Sequence, residues 1–319
     1  MSKELVGVFW MVVSGLSFVV VTGLVRFVGT DLPAVEAAFI RYSFGLILLV
    51  PFLLRLWYLN NSRNPASPGV PAPISSIGSN GSNGSNGGPG RIKQLLPMYI
   101  IRGLVHALGV VLWFYAMARL PVALVTAIGF ITPVCITIAA AFFLGEIIKL
   151  RRALGIVVAI LGGLIILAPE LSALNAGIWA QLIAAPCFAV SFILAKQLSQ
   201  KASSEEIVAM LTIFCTLALL PGAIATWTTP NYTELFWLLL TAVAATFGHY
   251  AMTQAVRYAP LSMLQPFTFL QLVWASLMGY LLFSEEPTIN IFIGASIIVG
   301  STSYIAHREY QMTKKDTKL

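Results

Sequence analysis

The sequence predicts an all-α polytopic membrane protein: ten transmembrane helices arranged as two inverted five-helix repeats. Three observations carry this. Only 10% of the 319 residues are charged and 58% are apolar, whereas a soluble domain carries about 25% charged residues. Ten segments are apolar over about the 20 residues that a spanning helix needs. The second half of the chain also echoes the first at a fixed spacing.

The first apolar segment, 5–27, is a full span long and lacks an A-x-A-like site after a short apolar core. It therefore reads as a retained helix rather than a cleaved signal. The second, 34–57, follows Pro33. The third and fourth, 96–118 and 121–144, open at Pro97 and Pro121. Proline suits a first helical turn, where its missing N–H leaves nothing unpaired. The fifth, 152–168, follows the basic cluster Lys149, Arg151 and Arg152. The sixth to eighth, 176–197, 205–227 and 233–257, are joined by short connections. Pro260 and Pro287 introduce the ninth and tenth, 260–283 and 288–307.

The chain thus divides into 1–57 (helices 1 and 2), 58–94, 95–168 (helices 3 to 5), 174–308 (the second repeat) and a tail, 309–319. Segment 58–94 contains "NPASPGVPAPISSIGSNGSNGSNGGPG". Such a Pro-rich and Ser-Asn-Gly stretch cannot bury a core and reads as a flexible linker. Asn231-Tyr232-Thr233 is a glycosylation sequon in an outer connection, read as a chance match.

Charge orients the spans. With the N-terminus inside, 15 of the 19 Lys and Arg residues fall in inner segments, and only Arg26 and Arg119 fall at outer ends. Both termini, the linker and the tail are then cytoplasmic. The expected location is a plasma membrane, the inner membrane of a bacterium. The net charge of +7 is explained by the bilayer and calls for no nucleic-acid partner. Cys135, Cys187 and Cys215 lie in apolar runs with no metal-ligand spacing and read as small packing residues.

An offset of 170 takes Gly7 to Gly177, Phe18 to Phe188, Arg26 to Lys196, Glu36 to Glu206 and Pro51 to Pro221. Beyond the linker an offset of 139 takes Gly109 to Gly248, Pro121 to Pro260, Glu146 to Glu285 and Gly155 to Gly294. One insertion, the linker, accounts for the difference. Five spans per half place the second repeat upside down relative to the first. Inverted repeats rocking about a midplane site are a common plan of secondary transporters.

Three stretches carry a family likeness. They are "FIRYSFGLIL" in helix 2, "PVALVTAIGFITPVCITIAAAFFLGEIIKLRRALGIVVAILGG" across helices 4 and 5, and its echo "PLSMLQPFTFLQLVWASLMGYLLFSEEPTINIFIGASIIVG" across helices 9 and 10. The chain resembles the ten-helix EamA-type members of the drug/metabolite transporter superfamily. The likeness spans everything but the linker and tail. It implies a central cavity between the halves, peripheral helices 5 and 10, and a small organic metabolite as cargo.

Candidates for cargo contact or gating follow from polarity inside apolar runs. Arg41 lies about eight residues, roughly 12 Å, into helix 2. An arginine at such depth costs about 3 kcal/mol or more unless it meets protein, water or a ligand. Binding a carboxylate or phosphate, bracing helices through backbone carbonyls, and snorkelling all remain open for it. Arg102 and His106 share a face of helix 3, and His249 lies on helix 8. A histidine there can shuttle protons or touch cargo, or simply bond a neighbouring helix. Trp10, Tyr42, Trp113, Tyr115, Thr132, Gln254, Gln265, Gln271 and Trp274 are further lining candidates, with packing or lipid contact as the alternative. Pro133, Pro186 and Pro266 are hinge candidates, equally readable as packing kinks. Glu146 and Glu285 end helices 4 and 9 against the helix dipole, so each needs a partner and reads as a structural or gating charge. Gly155, Ala159 and Gly163 form a small-residue stripe. It predicts close helix packing, with a homodimer contact as the alternative.

No Asp or Glu lies at mid-depth in any predicted span, so neither a carboxylate proton relay nor an acidic sodium site is expected. The expected function is a secondary transporter of a small polar metabolite, an amino acid or other carboxylate-bearing compound being favoured. It would work by alternating access as uniport, exchange or histidine-mediated proton coupling. The alternatives are a non-transporting scaffold and an intramembrane enzyme, but the nucleophile–base pair an enzyme needs is not visible. No cofactor is expected, since no G-x-x-x-x-G-K-[ST] motif occurs, and no metal site. The expected partners are a small molecule and the lipid bilayer.

Overall fold

The computed structural model describes residues 3–61, 89–132, 134–136, 138, 150–169, 175–259, 264, 267 and 270–316. These form α1 (Lys3–Val28), α2 (Ala34–Asn61), α3 (Pro89–Met117), α4 (Val122–Gly129), α5 (Leu150–Leu167), α6 (Ala176–Ser199), α7 (Ser204–Ala225), α8 (Tyr232–Tyr258), α9 (Leu270–Phe283) and α10 (Ile289–Asp316). Among the described residues six helices, α1, α2, α3, α6, α7 and α8, are long and apolar enough to cross a membrane, and four shorter apolar helices accompany them.

Local signals fix several ends. Asn175 caps α6 by accepting from the N–H groups of Gly177 and Ile178. Ser203 caps α7 through the N–H of Glu206. Asn231, the sequon asparagine, caps α8 in a reciprocal capping box with Glu234. The helices at the ends of the linker and in the tail run further than the apolar pattern alone indicates. Residues 58–61 continue α2, 89–94 belong to α3, and 309–316 extend α10. No proline or glycine interrupts 52–61 or 298–316 apart from Gly300, so backbone hydrogen bonding carries the helices past their apolar stretches. The rest of the linker, 62–88, lies outside the described residues, as do Pro133, Glu146, Gln265 and Pro266.

The helices pack in a pattern that an exchange of the two halves largely reproduces. α1 lies along α8 as α3 lies along α6, while α2 faces α7 and α5 faces α10. Side-chain detail obeys the same exchange. A Cβ on Gly109 would sit 3.0 Å from that of Cys187 and touch Phe188. One on Gly248 would sit 3.2 Å from that of Ser17 and touch Phe18. Gly162 backs onto Gly294, and the equivalent pair joins Ser301 to the carbonyl of Gly155. Of the small-residue stripe of α5, Gly155 thus meets α10, whereas a Cβ on Gly163 would face Ile131 at 3.6 Å.

Polar ties close both ends of the bundle. At one end Glu36, fully buried, accepts from the N–H and hydroxyl of Thr228, each at 2.9 Å. Its repeat-equivalent Glu206 does the same work at the other end. It accepts from Tyr99 at 2.7 Å and from Arg91, which also donates to the carbonyl of Lys201. Large apolar side chains such as Ile47, Leu104, Leu108, Leu217 and Leu281 stand exposed around the bundle, as lipid contact demands.

Candidate functional site

A cavity of about 330 Å³ lies between the two halves, walled by α1, α2, α3, α4, α6, α8 and α9. This is within the size range of small-molecule sites. Among the described residues α5, α7 and α10 contribute no lining residue. Seven of the sequence candidates line it: Arg41, Arg102, His106, Trp113, Thr132, His249 and Gln271. Four do not. Trp10 packs edge-on to Tyr250, and Gln254 donates to the Tyr250 hydroxyl at 2.8 Å. The Tyr115 ring lies beneath the Arg119 guanidinium at 3.7 Å. Trp274 is exposed on the outside of α9. Pro186 lies on the exposed side of α6, which continues through it.

The two guanidiniums are held differently. Arg102, 1% exposed, donates to the Ile207 carbonyl at 3.0 Å and so ties α3 to α7. Arg41, 6% exposed, has its guanidinium carbon 4.1 Å from the centre of the Tyr42 ring. That contact is a cation–π interaction. In both residues the buried Nε has no hydrogen-bond partner among the described residues. An unsatisfied buried polar group costs about 1–3 kcal/mol, and more when charged.

The histidines meet. The rings of His106 and His249 stand 5.2 Å apart, centre to centre. Phe18 lies edge-on to His249 at 5.1 Å, and its repeat-equivalent Phe188 flanks His106 at 5.3 Å. His106 Nδ1 and Ser191 Oγ share a hydrogen bond of 2.9 Å, whereas His249 Nδ1 has no partner among the described residues. Phe18, Phe188, Ser14, Gln181 and Ser191 all line the cavity and were not among the sequence candidates. Gln181 was the most findable, an amide within an apolar helix. Its nitrogen donates to the Val125 carbonyl at 3.1 Å and its oxygen is buried without a partner.

No Asp or Glu lines the cavity among the described residues, and no group of three or more His, Cys, Asp or Glu side chains could hold a metal ion there. Two guanidiniums in an apolar, low-dielectric enclosure attract negative charge. Chemically the chamber can desolvate a small molecule, pair an anionic group with Arg41 and Arg102, and lay an apolar or aromatic part against Phe18, Phe188 and Trp113.

The EamA-like transporter family matches residues 5–168 and 175–306, one match to each half. The chain is 26% identical to the S-adenosylmethionine uptake transporter of Rickettsia prowazekii, over 95% of this chain and 93% of that one. It is 24% identical to the riboflavin transporter of Vibrio cholerae, over 98% and 97%. It is 26% identical to the pseudopaline exporter of Pseudomonas aeruginosa, over 92% and 93%. A solved crystal structure shares the fold at a TM-score of 0.58 and 13% identity, covering 96% of this chain and 98% of its own. Transporter relatives over the full length, the paired family matches and the cavity between the halves agree. The chain is a multi-pass membrane transporter of a small molecule, not an enzyme, and belongs to the EamA-like transporter family.

Proposed function

We propose that the protein is a secondary transporter of a small metabolite bearing an anionic group, a carboxylate as in an amino acid being the favoured form. The observation that carries this is the pair of buried guanidiniums, each with an unpartnered Nε, in a cavity with no acidic lining residue among those described. S-adenosylmethionine, the cargo named for one relative, has such a carboxylate together with a heteroaromatic ring. A solute of that kind matches the division of the chamber into arginines and flat aromatic walls.

Transport runs by alternating access, the two repeats rocking about the cavity. The chain sits in the cytoplasmic membrane of a bacterium with both termini inside, on the strength of its basic inner segments. The cycle is a uniport or an exchange, or is coupled to protons through the His106–His249 pair. The test compares cells expressing the wild type, an Arg41→Gln variant at matched level, and an empty vector. Metabolites are measured inside and outside. A carboxylate-bearing class shifted by the wild type alone supports the reading. An equal shift by both proteins retains transport but reduces Arg41 to a brace. No shift in varied media overturns it.

A further inference from the structure

We propose that Arg26 and Glu285 form a latch that holds one end of the pathway shut and must part for the cavity to open there; this rests on the transport reading above. Arg26 sits in the last turn of α1, four residues beyond Thr22, which lines the cavity. One turn of helix therefore separates the chamber from the latch. Arg26 Nη2 is 3.2 Å from Glu285 Oε1, and Nη1 donates to the Met117 carbonyl at 3.1 Å. Glu285 Oε2 accepts from the N–H of Val122 at 2.7 Å. One ion pair with two backbone contacts thus gathers the ends of α1, α3, α4 and α9.

Both of Glu285's ties cross from the second repeat to the first, so a rocking of one half against the other has to break them. The three lining helices α1, α4 and α9 meet at this carboxylate. The opposite end offers an informative contrast. Arg91 and Glu206 also pair across the repeats, but they tie α3 to α7, and α7 contributes nothing to the cavity wall. That pair is a brace.

The backbone is shaped to present the carboxylate. Ser284 adopts φ +54, a left-handed conformation unusual for a residue other than glycine. The Glu285 N–H then donates back to the Gly279 carbonyl at 3.0 Å. A Cβ on Gly279 would stand 2.9 Å from Glu285 Oε2, so glycine leaves space for the acid. A small void of about 100 Å³ adjoins Glu285, lined also by Ser276, Gly279 and Pro121. It gives the carboxylate somewhere to swing when the pair separates. The repeat-equivalents of the latch residues are Lys196 and Glu146, of which Glu146 lies outside the described residues.

The test reads access directly. Thr22→Cys is placed in a background with Cys135, Cys187 and Cys215 replaced by serine. A membrane-impermeant thiol reagent is added from the side on which α1 ends, and the labelling rate is measured on protein that remains monodisperse. Glu285→Gln and Arg26→Gln are expected to raise the rate severalfold. The charge exchange Arg26→Glu with Glu285→Arg is expected to lower it again, and Arg91→Gln to leave it at the parent value. An unchanged rate in both single variants overturns the latch, as does an equal rise with Arg91→Gln. Shifting metabolites with flat labelling would leave transport standing and remove the latch. A labelling response without any metabolite shift would do the reverse.

Discussion

Arg41 lies over the Tyr42 ring, and its buried Nε has no acceptor among the described residues. Its value lies in a planar fork that matches a carboxylate, which lysine does not reproduce. Arg41→Lys should therefore weaken apparent affinity for an anionic cargo about tenfold or more, a hydrogen bond to a charged group being worth about 1.5–3 kcal/mol. The check is KM in vesicle uptake, with kcat much less affected. Arg102 differs, because it also carries the Ile207 carbonyl; Arg102→Gln should lower thermal stability as well as affinity. Arg41, Arg102, His106 and His249 were legible in the sequence because a polar group in an apolar span needs a reason. Which side of a helix faces the chamber was not legible. Lipid and protein interior are equally apolar, so Trp274 on the outside of α9 and Trp113 in the cavity read alike. Ser191 and Phe188 were missed for the same reason: serine and phenylalanine are ordinary anywhere in a span.

At the level of elements, α5 and α10 approach each other backbone to backbone. A Cβ on Gly162 would fall 2.7 Å from the Gly294 carbonyl. Gly162→Val should cost about 1–3 kcal/mol by overpacking, seen as a lower melting temperature in detergent. Cargo affinity should be spared, since neither helix lines the cavity. Ser284→Gly should act oppositely and raise the melting temperature, relieving a left-handed conformation that costs about 1–2 kcal/mol for a non-glycine residue. The sequence hints at this, since the repeat-equivalent position is Gly145. Helix existence and order were readable from apolar runs and prolines. The polar extensions of α2, α3 and α10 were not, because hydropathy reports where a helix meets lipid and not where its hydrogen bonds end.

For the whole molecule, the repeat was the most informative sequence feature. The offset pairs Phe18 with Phe188, and in the structure the two stand in matching places beside the histidines, within a frame where α1 pairs with α8 as α6 pairs with α3. What the offsets could not supply is the asymmetry inside this frame. Gln181 matches Met11, His106 matches Ala245 and His249 matches Val110, so the chamber has a distinct chemistry on each wall.

The most direct measurement is uptake by proteoliposomes of purified protein, using radiolabelled carboxylate-bearing metabolites at increasing concentration, with and without unlabelled cargo inside. Alternating access through this cavity predicts a rate that saturates, rises when the inner side holds cargo, and disappears in Arg41→Gln. A flux that climbs linearly with concentration and ignores the inner cargo would contradict the account, because it would describe an open pore.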